Sequence, residues 1–284
     1  MSSSTSESAA RSWLITGANS GFGAAFTRAA LAAGDAVVAA VRRPGAMAEL
    51  AAAHPDRLTV VALDVRDAEA CERAVRTAES AYGRIDVLVN NAGFGTVGAL
   101  EETREDELRD AMEVMFFGPM RLTRLALPGM RRRRGGAVVQ LTSMGGLLAF
   151  AGVGTYAAAK GALERASEAL AAEVEPLGIR VLIVEPGAFR TEFNGAIAAA
   201  SSLPDYEAAV GVVRDRLAAG DGKQPGDPSK AAAALLTALA LPRPPLRLPL
   251  GDDAVTAIRA KLARVESDIS ATPHLGTGPA INFP

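Results

Sequence analysis

The chain holds one cysteine, Cys71, in 284 residues, so no intramolecular disulfide is available and a reducing compartment suits it. Cys71 falls in a helix-like stretch, 67–82, where a packed, inert thiol is expected rather than a nucleophile. Histidine is nearly as scarce: His54 lies in a segment that reads as a helix end, and His274 in a C-terminal tail. Without a Cys/His cluster no metal site is expected, and no Ser/His/Asp arrangement presents itself. Charge of one sign is also lacking. The formal net charge is −2 at pH 7, which gives no electrostatic reason to expect nucleic acid or an anionic membrane as partner. Four lysines stand beside 26 arginines, so the basic run 131–134 is unremarkable here and suits a helix end before Gly135-Gly136. No apolar stretch approaches the roughly 18 residues of a membrane span. Residues 1–10 are Ser-rich, carry Glu7 and lack the basic and apolar regions of a secretory signal, so a disordered tail and a cytoplasmic protein are expected.

What is present is apolar. Hydrophobic residues make up 49% of the chain, enough for a sizeable core without staples. Short runs rich in Val, Leu and Ile occur at 13–16, 36–41, 58–63, 87–89, 137–141 and 180–184. Each is apolar on both faces, as strands of a parallel sheet covered by helices must be. Helix-length segments lie between them, among them 21–33, 67–82, 105–130 and 155–177. This alternation predicts an α/β fold with a doubly wound parallel sheet and helices on both faces, one domain over 11–284. From about Arg190 the regularity weakens. Residues 190–226 read as an irregular substrate lid with one helix near 204–219, and a last strand near 246–250 precedes a helix from Asp252 to about Ile269.

The first strand runs into Thr16-Gly17-Ala18-Asn19-Ser20-Gly21-Phe22-Gly23, and a helix follows. Glycines there let the backbone turn tightly and approach a pyrophosphate, and the helix N-terminus supplies amide donors. The second strand ends in Val41-Arg42-Arg43 with no carboxylate. An acidic residue at that point would accept from the ribose of NAD and repel a 2′-phosphate, whereas Arg42, with Arg43, can pair with that phosphate. NADP is therefore expected over NAD, unless both arginines are ordinary surface residues.

Together with later markers, this loop resembles the short-chain dehydrogenase/reductase family. Thr16 to Gly23 matches the family's cofactor motif, and Asn90-Asn91-Ala92-Gly93 its marker after the fourth strand. Ser143 and Tyr156-Ala157-Ala158-Ala159-Lys160 match its catalytic serine and Tyr-x-x-x-Lys. Pro186-Gly187-Ala188-Phe189-Arg190-Thr191 matches its Pro-Gly-x-x-x-Thr turn. With three tyrosines and four lysines, a chance Tyr-x-x-x-Lys is expected only about 0.04 times, so finding it in order with four other markers is specific. The likeness spans about residues 12–191. It implies a Rossmann fold and a nicotinamide cofactor touched by Gly17, Asn19, Ser20, Gly21, Phe22, Gly23, Arg42, Arg43, Tyr156 and Lys160. It further implies Asp64 and Val65 at the adenine, Asn90, Asn91, Ala92 and Gly93 along the ribose, and Pro186, Gly187, Phe189 and Thr191 around the nicotinamide. Read on residue type alone, Asp64 could instead be a capping or turn carboxylate.

Tyr156 and Lys160 are four residues apart at the start of a helix, so they share a face. A free phenol, with a pKa of about 10, is a poor base near neutrality; a neighbouring ammonium and an oxidised nicotinamide would favour the phenolate. Tyr156 could then serve as general acid in reduction and general base in oxidation, with Ser143 hydrogen-bonding the substrate oxygen. One position departs from the family pattern. Met115, aligned on Gly118, stands where the family has an asparagine that completes a proton relay, and a thioether accepts only weakly. Either backbone and waters carry the relay, or the protein is a slow enzyme or an NADP(H)-binding redox sensor. Neighbouring Glu113 could substitute or sit on the solvent face. The residues expected near the nicotinamide, Phe94, Met144, Leu147, Leu148, Phe150, Phe189 and Phe193, suggest a hydrophobic ketone, aldehyde or alcohol. The segment 185–193 resembles the hydroxysteroid and retinol dehydrogenase branch. Family members commonly pair through the two long site-bearing helices, which implies a homodimer or homotetramer here.

Overall fold

The computed structural model describes residues 10–193, 195, 197–199 and 203–272; residues 1–9 of the tail expected over 1–10, and His274, lie outside them. In chain order the strands are β1 (Ser12–Thr16), β2 (Ala36–Val41), β3 (Leu58–Ala62), β4 (Val87–Asn90), β5 (Thr96–Val97), β6 (Gly136–Leu141), β7 (Ile179–Pro186), β8 (Ala198–Ala199) and β9 (Arg247–Leu250). The helices are α1 (Gly21–Ala32), α2 (Ala48–Ala53), α3 (Ala68–Tyr82), α4 (Glu105–Met112), α5 (Gly118–Arg133), α6 (Gly154–Val174), α7 (Val212–Ala219), α8 (Pro228–Ala240) and α9 (Asp252–Ala271).

Seven strands form one parallel sheet in the order β3-β2-β1-β4-β6-β7-β9, and β5 pairs with β8 apart from it. Strand residues alternate between two cores. Trp13, Ile15, Val37, Ala39 and Val89 pack with Phe26, Leu235 and Leu239 of α1 and α8. Leu14, Val38, Leu88, Val138 and Val181 pack on the other face with residues of α3, α5 and α6. Both faces of β1 are therefore dry, which explains why its sequence reads as continuously apolar. This is the doubly wound Rossmann-type architecture the alternation predicts.

The differences are local. The helix expected over 105–130 is interrupted by a π-turn, Glu113–Phe117, between α4 and α5. The expected helix near 204–219 is a 3-10 turn, a π-turn and only then α7. Helix α8, whose small residues pack closely on α1, has no counterpart in the sequence reading; its Ala-rich pattern gives little contrast between faces. Cys71 is fully buried, and burial pushes its thiol up. The basic run ends α5, with Arg133 and Arg134 donating to the carbonyls of Ile85 and Pro176. Among the described residues no helix is long and apolar enough to cross a membrane.

Candidate active site

Because the sheet is parallel, the carboxyl ends of its strands share one edge, and β1 and β4 meet at the point where strand order reverses. A crevice forms at such a switch point. The loop 17–20 leaves β1 there. Gly17 (φ +63°) and Gly21 (φ +49°) hold left-handed backbone that favours glycine. A Cβ on Gly23 would lie 2.1 Å from the Gly17 carbonyl oxygen and 2.6 Å from Asn91 Nδ2. The loop is fastened from β4: Asn91 Nδ2 donates to the Thr16 carbonyl (2.8 Å), and the amides of Asn91 and Ala92 donate to Thr16 Oγ1 (2.9 and 3.0 Å). Ser20 makes no side-chain cap and the first turn of α1 carries no acidic residue. A tight glycine cradle at an uncapped, acid-free helix N-terminus fits a pyrophosphate.

The post-β7 segment closes over this cradle. Thr191 lies against Gly21, and Phe189 packs on Phe22 with ring centroids 5.0 Å apart. Gly187 abuts the carboxylate of Asp253 at the start of α9, which accepts the Ala188 amide at 2.7 Å. Asn90 behaves differently from its neighbours. It is buried, and its Nδ2 donates to Pro119, Thr123 and Gln140, tying β4 to α5 and β6.

Beyond β2, Arg42 and Arg43 are exposed. Arg66 clasps Asp64 through Nη2 (2.6 Å) and Nε (3.0 Å), and reaches Asp110 of α4 at 2.8 Å. That clasp holds the Asp64 carboxyl below the usual carboxylate range, with Arg42 adding to it. Val65 is buried against Gly118. Arg66 escapes sequence reasoning because nothing in its spacing marks it among 26 arginines.

On the other side of the switch point, Ser143 follows β6 in extended backbone, and its Oγ accepts the Gly145 amide at 3.0 Å. Tyr156 and Lys160 project from the first turns of α6. Gly145 leaves room for the Tyr156 ring, whose Cε1 lies 3.3 Å from where a Cβ would be. Burial pushes the phenol up to about 12, against a hydrogen bond with Ser143 that lowers it. Lys160 is buried, donates to the Leu141 carbonyl at 2.7 Å, and lies 5.8 Å from the Tyr156 ring centroid. Burial lowers its ammonium to about 8, partly offset by the carboxylate of Glu164.

Met115 is fully buried in a cluster with Ala111, Ala159, Phe94 and Tyr156. Its Sδ and Lys160 Nζ both approach Gly93, at 3.6 and 3.5 Å from the position of a Cβ there. Glu113 turns away, paired with Arg121 at 3.6 Å on the half-exposed side. Of the expected apolar residues, Phe193 packs edge-on over Tyr156 at 5.7 Å and Phe94 joins the Met115 cluster. Phe189 instead packs toward α1, and Phe150 is exposed. A cavity of about 450 Å³ lies on the α4 side, lined by Phe94, Val97, Thr155, Asp106, Glu107 and Asp110. Ser143 and Tyr156 are not among its lining residues, although Phe94 also packs in the cluster that holds Tyr156.

Behind Lys160 sits an ionic cluster absent from the sequence reading. Glu164, one turn further along α6, and Glu185 of β7 are buried and share Arg247 of β9, which also binds Glu168 at 2.6 Å. Burial raises both buried carboxyls, Glu185 to about 7. The available signal was helical spacing: Glu164 is four residues from Lys160 and eight from Tyr156, on the face that points inward.

The short chain dehydrogenase family profile matches residues 11–202. The chain belongs to the short-chain dehydrogenase/reductase family. Oxidoreductase BOA17 of Botryotinia fuckeliana is 36% identical over 86% of this chain and 89% of its own length. Human retinol dehydrogenase 8 is 38% identical over 70% of this chain and 65% of its own. A solved short-chain dehydrogenase from Streptomyces avermitilis superposes with a TM-score of 0.90 at 49% identity, covering 95% of this chain and 98% of that one. Similar solved structures include some with nucleotides bound. An alcohol dehydrogenase of Thermococcus sibiricus holds 5-hydroxy-NADP (TM-score 0.69, 25% identity, 84% and 94% covered), and a 3-ketoacyl-(acyl-carrier-protein) reductase of Brucella melitensis holds NADH (0.71, 26%, 84% and 96%). Both cofactor types thus occur on this fold. The chain is a short-chain dehydrogenase/reductase-type oxidoreductase.

Proposed function

We propose that this oxidoreductase uses NADP(H) to interconvert a hydrophobic ketone or aldehyde and its alcohol. The observation that carries the reading is the gathering of Ser143, Tyr156 and Lys160 at the carboxyl edge of the sheet, beside the glycine cradle. When bound, the nicotinamide cofactor supplies or accepts the hydride. Gly17 to Gly23 hold its phosphates by backbone amides, Asn91 to Gly93 flank its ribose, and Pro186 to Thr191 close over it. Asp64 and Val65 stand at the adenine end.

In reduction, Tyr156 Oη gives its proton to the substrate oxygen as charge develops there, and Ser143 Oγ steadies that oxygen. The raised phenol pKa keeps this proton in place until it is needed. In oxidation the phenol must be ionised, which requires positive charge nearby; Lys160 is the protein's own source of it. Support for NADP comes from the two exposed arginines after β2, where no carboxylate is present to repel a 2′-phosphate. Support for a hydrophobic substrate comes from Phe193 over Tyr156, with Met144, Leu147 and Leu148 on the adjoining turn.

The test follows NADPH absorbance with a panel of hydrophobic ketones and aldehydes, for wild type, Tyr156→Phe and Arg42→Ala, repeated with NADH. Turnover that vanishes in Tyr156→Phe, and a preference for NADPH that falls in Arg42→Ala, are expected. A rate unaffected by Tyr156→Phe would overturn the reading. A second reading, an NADP(H)-binding redox sensor, rests on Met115, whose thioether occupies the space beside Lys160 where a stronger acceptor would serve a relay. Tight NADPH binding without turnover across the whole panel would favour it.

A further inference from the structure

Glu164 follows Lys160 by one helical turn, so both project from the inward face of α6. Its side chain is wholly buried. A buried carboxylate is costly unless a cation meets it and its acceptor positions are filled. Glu164 meets half of that demand. Its Oε2 accepts from Arg247 Nη1 at 2.8 Å, with exposed Arg165 3.8 Å away, while Oε1 is buried without a hydrogen-bond partner. The nearby Thr142 hydroxyl is committed to the Val184 carbonyl. Only a glycine at 146 leaves Oε1 room, since a Cβ there would collide with it; Gly145 leaves the matching room for the Tyr156 ring. The turn after Ser143 thus rests on α6 with Tyr156 under one glycine and Glu164 under the next.

Cations are short in this cluster. Buried Glu164 and Glu185 reach the same nitrogen, Arg247 Nη1. Half-buried Glu168 takes Nη2 and is met from outside by Arg165. One guanidinium therefore serves two buried carboxylates, and among the described residues Lys160 is the one buried base. Lys160 in turn has little else. The end of β6 gives it the Leu141 carbonyl, the π-turn gives the Met115 thioether, and the loop after β4 gives the backbone of Gly93. On α6 itself stand the phenol of Tyr156 and the carboxylate of Glu164.

We propose that Glu164 is a positioning residue of the reaction: anchored by Arg247 beneath the turn that follows Ser143, its carboxylate holds Lys160 in the charged form that ionisation of Tyr156 requires. Arg247 contributes at second hand, by keeping Glu164 an anion against its burial. The directions agree. Glu164 raises the Lys160 ammonium against burial, and Arg247 lowers the Glu164 carboxyl against burial. The catalytic consequence rests on the reaction proposed above, whereas the coupling of the two charges is measurable without nucleotide or substrate.

The chain has four lysines, Lys160, Lys223, Lys230 and Lys261, so carbon-13 NMR at Cε can follow Lys160 alone, its signal assigned by its loss in Lys160→Met. Glu164→Gln can keep an oxygen on Arg247 and place its amide where Oε1 has no partner. Removing one charge about 6 Å away, across an effective dielectric of about 20, should lower the proton affinity of Lys160 about 10- to 100-fold. The three exposed lysines should not change. Glu164→Asp keeps the charge and should stay within about threefold of wild type. Should Glu164→Gln fail to fold by circular dichroism, Glu164→Gln/Arg247→Gln removes both partners together, which costs less than orphaning one, and should lower the affinity of Lys160 alike.

In alcohol oxidation, Glu164→Gln should lose kcat about tenfold near pH 8 with KM within about threefold, and the two rates should converge below about pH 6, where Lys160 is charged in both. A Lys160 midpoint unmoved in folded Glu164→Gln, or moved as far in Glu164→Asp, would overturn the proposal. So would a kcat ratio that stays constant with pH. A wild type without turnover would overturn the proposed reaction instead, and the titration alone would then decide the coupling.

Discussion

Replacing Lys160 by methionine is expected to stabilise the nucleotide-free protein while abolishing turnover. Burial in the fold lowers the Lys160 ammonium from 10.5 to about 8, and the surroundings include the thioether of Met115 rather than a polar group. Keeping that ammonium charged below pH 8 therefore costs the folded state about 3 kcal/mol relative to the unfolded chain. The sign follows from proton uptake. Between about pH 8 and 10.5 the unfolded chain binds a proton that the folded one has released, so stability rises with pH across that window. The full cost is present below it and none remains above it. Methionine has similar length and no charge, so the exchange removes the cost at nearly constant volume. It also forfeits the 2.7 Å bond to the Leu141 carbonyl, and a buried acceptor left unpaired costs about 1–2 kcal/mol. The net gain at pH 6.5 is about 1–2 kcal/mol, a rise of a few degrees in melting temperature for a chain of this size. Near pH 10 the gain disappears or reverses, because only the lost hydrogen bond remains. Thermal melts at both pH values, followed by circular dichroism without nucleotide, measure it. A variant less stable than wild type at pH 6.5, or a difference independent of pH, would refute the burial argument.

Three further outcomes follow from the same geometry. Met115→Asn places a hydrogen-bonding amide beside Lys160, so the Lys160 pKa should rise, and with it the alkaline limb of the kcat–pH profile; an unchanged profile would separate Met115 from the proton path. Gly23→Ala puts a methyl 2.1 Å from the Gly17 carbonyl, and the displaced loop should lose at least two phosphate bonds of about 1.5 kcal/mol each. Fluorescence titration should then show NADPH affinity down about a hundredfold or more, and a change under threefold would contradict the cradle. Arg247→Met leaves Glu164 and Glu185 buried without their cation and should destabilise by about 3–5 kcal/mol in urea melts. Arg247 lowers both carboxyls, which burial raises, Glu185 to about 7; without it they rise further, the folded variant keeps protons that the wild type releases, and the deficit should grow as pH rises toward 8. A deficit that shrinks over that interval would show the sign to be wrong.

The sheet was legible because its strands are buried on both faces and therefore read as uninterrupted apolar runs of the right length. The residues that meet at the candidate site were legible because each is fixed by local spacing: Tyr156 and Lys160 by one helical turn, Gly17 to Gly23 by a strand-to-helix junction. Features created by tertiary contact were not. Arg247 meets Glu164 across 83 positions and Glu185 across 62, and no short-range pattern announces such a partnership. Asp64 read as an adenine contact or a capping or turn carboxylate, and nothing local announced that Arg66 would join it to Asp110. The π-turn at 113–117 left no mark either, since one extra residue in a helical turn changes backbone bonding without changing the apolar period enough to see. Helix α8 went unread because its small apolar side chains pack on α1 by close approach, not by a contrast of polar and apolar faces.

The order of the sheet also bears on how the chain can assemble as it is made. After β1, β2 and β3 have formed one flank, β4, β6, β7 and β9 join the opposite edge in the order of their appearance, each docking on a strand already in place. The phosphate cradle at Gly17 to Gly23 is among the first structures available, whereas Asp253, which fastens the turn facing it, lies 230 residues further on. At roughly 5–20 residues per second of synthesis, that interval is about 10–45 s. A nascent chain thus carries an open half-site until α9 emerges, and closure of the nucleotide crevice waits on that helix.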